Sequence, residues 1–132
     1  MHSCQGEIVM ADIISSDKAP PALGPYVQAR VSGNLLFVSG QLGMELDGVL
    51  PLSFAAQAHN ACRNLRAILE EGGSSLEKVL KTTVFLSDIA NFAELNAIYA
   101  EYFPAPCPAR SCFEVARLPK NALVEIEAIA EK

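Results

Sequence analysis

The sequence predicts an α+β fold: a single domain with one mostly antiparallel sheet and two helices on one of its faces. Three observations predict it. The periodic segments run β-β-(β)-α-β-α-β-β, so strands are interrupted by only two helices. Two helices cannot cover both faces of such a sheet. The chain has 132 residues, 51% hydrophobic and 19% charged, the size of one domain with one core. So little charge over so much apolar surface predicts that the uncovered face meets other subunits.

The elements follow in order. Residues 1–17 read as an irregular amino-terminal extension and residues 18–132 as the folded domain. Lys18 to Pro25 holds three prolines and a glycine, a turn-rich segment that no helix can use. Tyr26–Val31 reads as a strand, Ser32-Gly33-Asn34 as a turn and Leu35–Gly40 as the hairpin partner. Residues 43–52 read as a loop or a weak strand turning at Asp47-Gly48. Ser53 opens a long helix in which Phe54, Ala58, Ala61, Cys62, Leu65, Ile68 and Leu69 recur at helical spacing. Gly72-Gly73 stops it. Ser74 and Glu77 have the spacing of a capping box. Val79–Leu86 is β-branched and aromatic, a central strand. Asn91 opens a second helix with Phe92, Leu95, Ile98, Tyr99 and Tyr102 as its stripe. Pro104 and Pro106 close it.

The carboxyl-terminal block is the most informative. Pro108-Ala109-Arg110-Ser111-Cys112-Phe113-Glu114-Val115 and Leu123-Val124-Glu125-Ile126-Glu127-Ala128 both alternate with period two, around Leu118-Pro119-Lys120-Asn121-Ala122. Paired as a hairpin with their apolar residues on one face, they put Arg110, Cys112, Glu125 and Glu127 together on the other. Arg110 offers a charged planar fork that fits a carboxylate in two parallel hydrogen bonds. The plainer reading is a cross-strand ion pair with Glu125 or Glu127, and the pattern alone favours it. Two adjacent carboxylates can raise one pKa into the range of acid–base work. Cys112 has no histidine at hand, since His2 lies in the irregular start and His59 on a helix. It reads as a pocket wall rather than a nucleophile. Tyr26 reads as a rim residue, and Ser39-Gly40 as a strand end where Gly40 either makes a plain turn, the default, or admits close backbone approach to a ligand.

Charge and composition exclude several classes. The net charge is −5 with no basic run, so the electrostatic footprint of nucleic-acid binding is missing. No signal-peptide core or membrane-length apolar run occurs. The four cysteines, Cys4, Cys62, Cys107 and Cys112, show no Cys-x-x-Cys spacing, and a reducing compartment, the cytoplasm, is the default, with a mitochondrial or other organelle location also open. No phosphate loop, dinucleotide fingerprint or metal cluster stands out.

These blocks, with Gly24-Pro25-Tyr26-Val27-Gln28-Ala29, Phe37-Val38-Ser39-Gly40-Gln41, Val79–Leu86 and Tyr99-Ala100-Glu101-Tyr102-Phe103, resemble the RidA (YjgF) reactive-intermediate deaminases, called translation inhibitors or endoribonucleases in older naming. The resemblance runs from about Ala19 to the end. It implies a chorismate-mutase-like (YjgF-type) fold and a homotrimer with sites at subunit interfaces. It also implies cofactor-free hydrolysis of 2-imino acids and their enamine tautomers, such as 2-aminoacrylate or 2-iminobutanoate, to 2-keto acids and ammonia. By resemblance Arg110 clamps the substrate carboxylate and Glu125 places or activates water. Tyr26, Ser39, Gly40 and Cys112 then line the pocket. The sequence departs from many members in its short Leu42–Leu50 segment and in Ala90, where a polar residue is common. A carboxylate-binding module without turnover and an RNA-cleaving translation inhibitor are the competing readings.

Overall fold

Two short strands of opposite sense, Ala29–Ser32 (β2) and Leu35–Leu42 (β3), form the first hairpin. Ser32 faces Leu35 across a two-residue loop whose Gly33 has φ +58°, a conformation that suits glycine. A computed structural model describes residues 12–132. His2, Cys4 and most of the irregular amino-terminal segment lie outside the described residues. Within that segment Ile13–Ile14 (β1) pairs with β2 and adds an edge to the sheet.

Phe54–Glu71 (α1), Val79–Leu86 (β4), Phe92–Tyr102 (α2), Ala109–Glu114 (β5) and Val124–Glu131 (β6) complete the chain, with short 3-10 turns before β4, α2 and β6. The strand order is β1-β2-β3-β6-β4-β5. Every neighbouring pair is antiparallel except β4 and β5. Both helices contribute to one buried core: Leu65, Ile68 and Leu69 of α1 and Leu95 of α2 meet Leu36, Val84, Leu86, Val124 and Ile126 of the sheet. All the apolar α1 residues singled out by spacing are buried. Burying one such Leu or Ile contributes about 1.5–3 kcal/mol. Ser53 caps α1, its Oγ accepting from the Ala56 N–H at 3.1 Å. Ser74 and Asn91 do not cap. The Ser74 hydroxyl bonds the Glu131 carbonyl, and Asp88 accepts from the Ala90 N–H instead.

The carboxyl-terminal runs do not form a hairpin. β6 lies between β3 and β4, whereas β5 pairs in parallel with the far side of β4. Two physical reasons account for this. Val124, Ile126, Ala128 and Ala130 of β6 are all buried, which suits a central strand; β5 has no fully buried residue and suits an edge. In addition, β4-α2-β5 is a strand-helix-strand unit, which naturally returns the chain parallel to its start.

The face assignment changes accordingly. Arg110 is registered against Thr82 and Cys112 against Val84, both buried beneath the helices. Arg110 and Cys112 therefore share the helix-bearing face, at the sheet edge. Glu125 and Glu127 alternate with buried Val124, Ile126 and Ala128 and lie on the opposite, uncovered face. That face also carries apolar rings: Phe37 is 42% exposed and Phe113 46%, and Phe113 meets Phe85 edge-on at 5.4 Å. Residues 43–52 form no strand. Asn64 of α1 holds this segment instead, its amide donating to the Leu42 and Met44 carbonyls at 3.2 and 3.1 Å.

Candidate active site

The candidate residues fall into two clusters, one on each face. The first surrounds Arg110. α2 presents Phe92, Asn96 and Tyr99, at i, i+4 and i+7, toward the edge strand. The Arg110 Nη1 donates to Asn96 Oδ1 at 2.8 Å. Its guanidinium carbon lies 4.9 Å from the Tyr99 ring centroid and 5.5 Å from that of Phe92. Such cation–π contacts contribute about 0.5–2 kcal/mol each. The remaining guanidinium donors suit a planar anion. Cys112, half-buried against the core, stands two residues along the same face. Burial pushes its thiol pKa up, against the opposing pull of Arg110. The sulfur is thus a protonated thiol rather than a thiolate nucleophile.

The second cluster surrounds Glu125. The β3–β6 register steps from Val38 opposite Ala128 to Gln41 opposite Ile126, so β3 carries one extra residue, a β-bulge at Ser39-Gly40. The bulge brings the β3 backbone onto the Glu125 side chain. A Cβ on Gly40 would sit 2.7 Å from a Glu125 carboxylate oxygen, so only glycine fits without displacing the acid. The Ser39 hydroxyl donates to the Val27 carbonyl at 2.6 Å, and its N–H to the Gln28 carbonyl at 2.9 Å. Buried Gln28 in turn fastens the proline-rich segment, donating to the Ser16 and Pro20 carbonyls at 3.1 and 2.9 Å. The outcome is a cleft of about 620 Å³ whose lining includes Tyr26, Ser39, Gly40, Lys120, Glu125 and Glu127. Burial raises the Glu125 pKa, and the neighbouring Glu127 carboxylate raises it further. A half-desolvated carboxylate of this kind is a proton acceptor nearer neutral pH than an ordinary glutamate.

The expected grouping of Arg110 and Cys112 with Glu125 and Glu127 on one face is therefore corrected. Tyr26, Ser39, Gly40 and Glu125 do share one cleft, but Arg110 and Cys112 stand on the other side of the sheet with β4 between them and β6. No cross-strand ion pair of Arg110 with Glu125 or Glu127 forms either, because their strands are not neighbours. Asn96, Phe92 and Tyr99 do not stand out as site residues in the sequence. Their i, i+4, i+7 spacing is a usable signal, but pairing them with Arg110 requires knowing that β5 follows α2 back alongside β4.

The architecture is the single-domain α+β fold of the YjgF and L-PSP structures, six strands and two helices. The chain belongs to the RidA/YjgF family: the family model described as Endoribonuclease L-PSP matches residues 16–132. It is 45% identical over 130 residues to the chloroplastic Reactive Intermediate Deaminase A of Arabidopsis thaliana, covering 97% of this chain and 70% of that protein. It is 46% identical over 125 residues to the 2-iminobutanoate/2-iminopropanoate deaminase of Escherichia coli K12, covering 92% and 98%. Among solved structures, E. coli TdcF with bound serine aligns with a TM-score of 0.88 at 41% identity, covering 91% and 98%. No described helix is long and apolar enough to cross a membrane.

Proposed function

We propose that the protein hydrolyses 2-imino acids and their enamine tautomers to 2-keto acids and ammonia, in sites assembled where the Arg110 edge of one copy meets the Glu125 cleft of the next. The observation that carries this reading is the separation of an arginine with free guanidinium donors and a raised-pKa glutamate onto opposite faces of one sheet. One copy cannot bring both to a small molecule; a closed ring of copies repeats the junction. The exposed rings of Phe37 and Phe113 on the uncovered face are the surface such an assembly would bury. A homotrimer, as the family resemblance implies, satisfies this geometry. Relatives that carry the deaminase name at about 45% identity support the reaction class.

The chemistry asks little of the protein. Arg110 receives the substrate carboxylate in its fork and fixes the C2 carbon in place. Tautomerisation of an enamine gives the imine, whose nitrogen is protonated in water. Glu125, ionised, accepts a proton from a water molecule as its oxygen bonds to C2, giving a carbinolamine. Glu125 returns that proton to the nitrogen, the C–N bond breaks, and the hydroxyl proton leaves as the C=O bond forms. One water is consumed, and one 2-keto acid and one ammonia are released. The Gly40 and Ser39 backbone and the Tyr26 and Cys112 side chains bound the space around the reacting carbon. We place this activity in the cytoplasm, where the reduced state suits the free thiols of Cys62, Cys107 and Cys112.

The test couples the protein to an amino-acid oxidase or threonine dehydratase and follows loss of the released imine. The expected result is acceleration over buffer by the wild type and none by Arg110→Ala. Retained 2-keto-acid binding without turnover would favour a binding module. Salt-sensitive RNA binding and cleavage would favour the activity in the older family name, which a chain of net charge −5 is poorly built to support.

A further inference from the structure

The Arg110 guanidinium is held by a closed circuit of side chains, and one member of that circuit touches nothing outside the protein. Thr82 on β4 is the register partner of Arg110 on β5. The Thr82 and Tyr99 hydroxyls share a hydrogen bond of 2.6 Å, fully buried on the Thr82 side. The Tyr99 ring lies 4.9 Å from the Arg110 guanidinium carbon, and it stacks on Phe103 with ring centroids 4.3 Å apart. From one turn earlier on α2, Asn96 ties down Nη1. The circuit runs from Arg110 through the strand pair to Thr82, through a hydroxyl pair to Tyr99, and back to Arg110 through the ring.

We propose that Tyr99, locked by Thr82, is a positioning residue for Arg110: it fixes the height and tilt of the guanidinium above the helix so that its free edge points to the substrate carboxylate. This rests on the reading of Arg110 as the carboxylate clamp. The physical case is that a long arginine side chain at a sheet edge has many rotamers, and a fork binds bidentately only when pre-oriented. One hydrogen bond to Asn96 leaves rotation about it free. A ring stacked on Phe103 and fixed at its hydroxyl removes that freedom. Burial keeps the Tyr99 phenol protonated, so the hydroxyl link persists across the working pH range. Thr82 is fully buried, and its hydroxyl supplies the Tyr99 hydroxyl with a partner that valine could not offer.

The test uses Tyr99→Phe, which keeps the ring and deletes the link, and Thr82→Val, which deletes it from the other end. Tyr99→Leu, which removes the ring, completes the set. An interaction made equally with substrate and transition state appears in KM rather than kcat, so each hydroxyl variant should raise KM about threefold or more with kcat within about twofold, and Tyr99→Leu should raise it further. In an Arg110→Lys background Tyr99→Phe should add nothing, because the group it orients is gone. A purely structural role would lower the melting temperature and leave KM unmoved at a temperature where the variants are folded.

A second readout needs no activity at all. The Arg110 Nε–H resonance, assigned by its loss in Arg110→Lys, should be ordered in the wild type and lose order in Tyr99→Phe and Thr82→Val. Loss of order with no imine turnover by any variant or by the wild type would uphold the positioning role and sink the proposed reaction. An unchanged Nε–H signal would overturn the positioning role whatever the enzyme does. So would an unchanged KM in an active enzyme.

Discussion

Arg110 and Glu125 stand on opposite faces of one sheet, on strands separated by β4. Each is well prepared by its own surroundings. Arg110 has Asn96 and two aromatic rings; Glu125 has a bulged strand, a bare glycine and a second carboxylate. The surroundings of Glu125 do not serve the fold, because a glutamate with a raised pKa opposes stability at neutral pH. The contacts of Arg110 leave guanidinium donors unused. Both fit a site completed by another copy.

Gly40→Ala tests the close approach at the bulge. The added methyl would overlap the end of the Glu125 side chain, which is flexible enough to swing away. Stability should change by less than about 1 kcal/mol, because no backbone atom is displaced. Imine turnover should fall about tenfold or more, because the acceptor has left its place. Thermal melting alongside the coupled assay checks both halves.

The pH dependence of kcat/KM follows from the two carboxylates. Burial and Glu127 both raise the Glu125 pKa, so the acid limb of the profile should lie above the ordinary glutamate value of about 4.3. Glu127→Gln removes a like charge, which eases ionisation of Glu125. The acid limb should therefore move to lower pH, with activity retained. Glu125→Gln should abolish the limb along with most of the activity. A limb that Glu127→Gln leaves in place would show that some other group governs it.

Gly43→Ala should be a folding variant. A Cβ there would overlap the backbone of Gln57 in α1, and neither the helix nor the loop can yield cheaply. Gln57 is itself committed, accepting from the Leu123 N–H at 2.8 Å and donating to the Pro51 carbonyl at 2.7 Å. The expected loss is about 2 kcal/mol or more, typical of overpacking, read as a drop in denaturation midpoint. Gly33→Ala, in the open first turn with nothing near its Cβ position, should cost only the strain of its positive φ, about 1 kcal/mol.

Much of this molecule was legible in the chain. The α1 stripe from Phe54 to Leu69, its Ser53 cap, the Gly33 hairpin and the choice of β4 as an inner strand all follow from local periodicity and turn chemistry. The alternation of β6 correctly put Glu125 and Glu127 on one face and their apolar neighbours on the other. What failed was long-range. Alternation says which residues of a strand share a face, but not which strand lies beside it. With β5 read as the partner of β6, Arg110 fell on the wrong face; the strand-helix-strand run from Val79 to Glu114 held the cue to the parallel pairing. The bulge at Ser39-Gly40 left no local mark beyond the glycine. Phe92 illustrates a third limit: its spacing fits the apolar stripe of α2, yet it is 38% exposed and lies beside a cation.

Subunit mixing separates a site shared between copies from a site within one copy. Arg110→Ala and Glu125→Gln each disable one half of every site, so each protein alone should be inactive. When the two are unfolded together in equal amounts and refolded, a junction is intact only where a Glu125→Gln copy supplies the arginine and an Arg110→Ala copy supplies the glutamate. Random assembly in a closed ring makes that about one junction in four. The mixture should recover about a quarter of wild-type imine turnover. A mixture as inactive as its parents, from subunits shown by mass to have co-assembled, would contradict a site shared between copies.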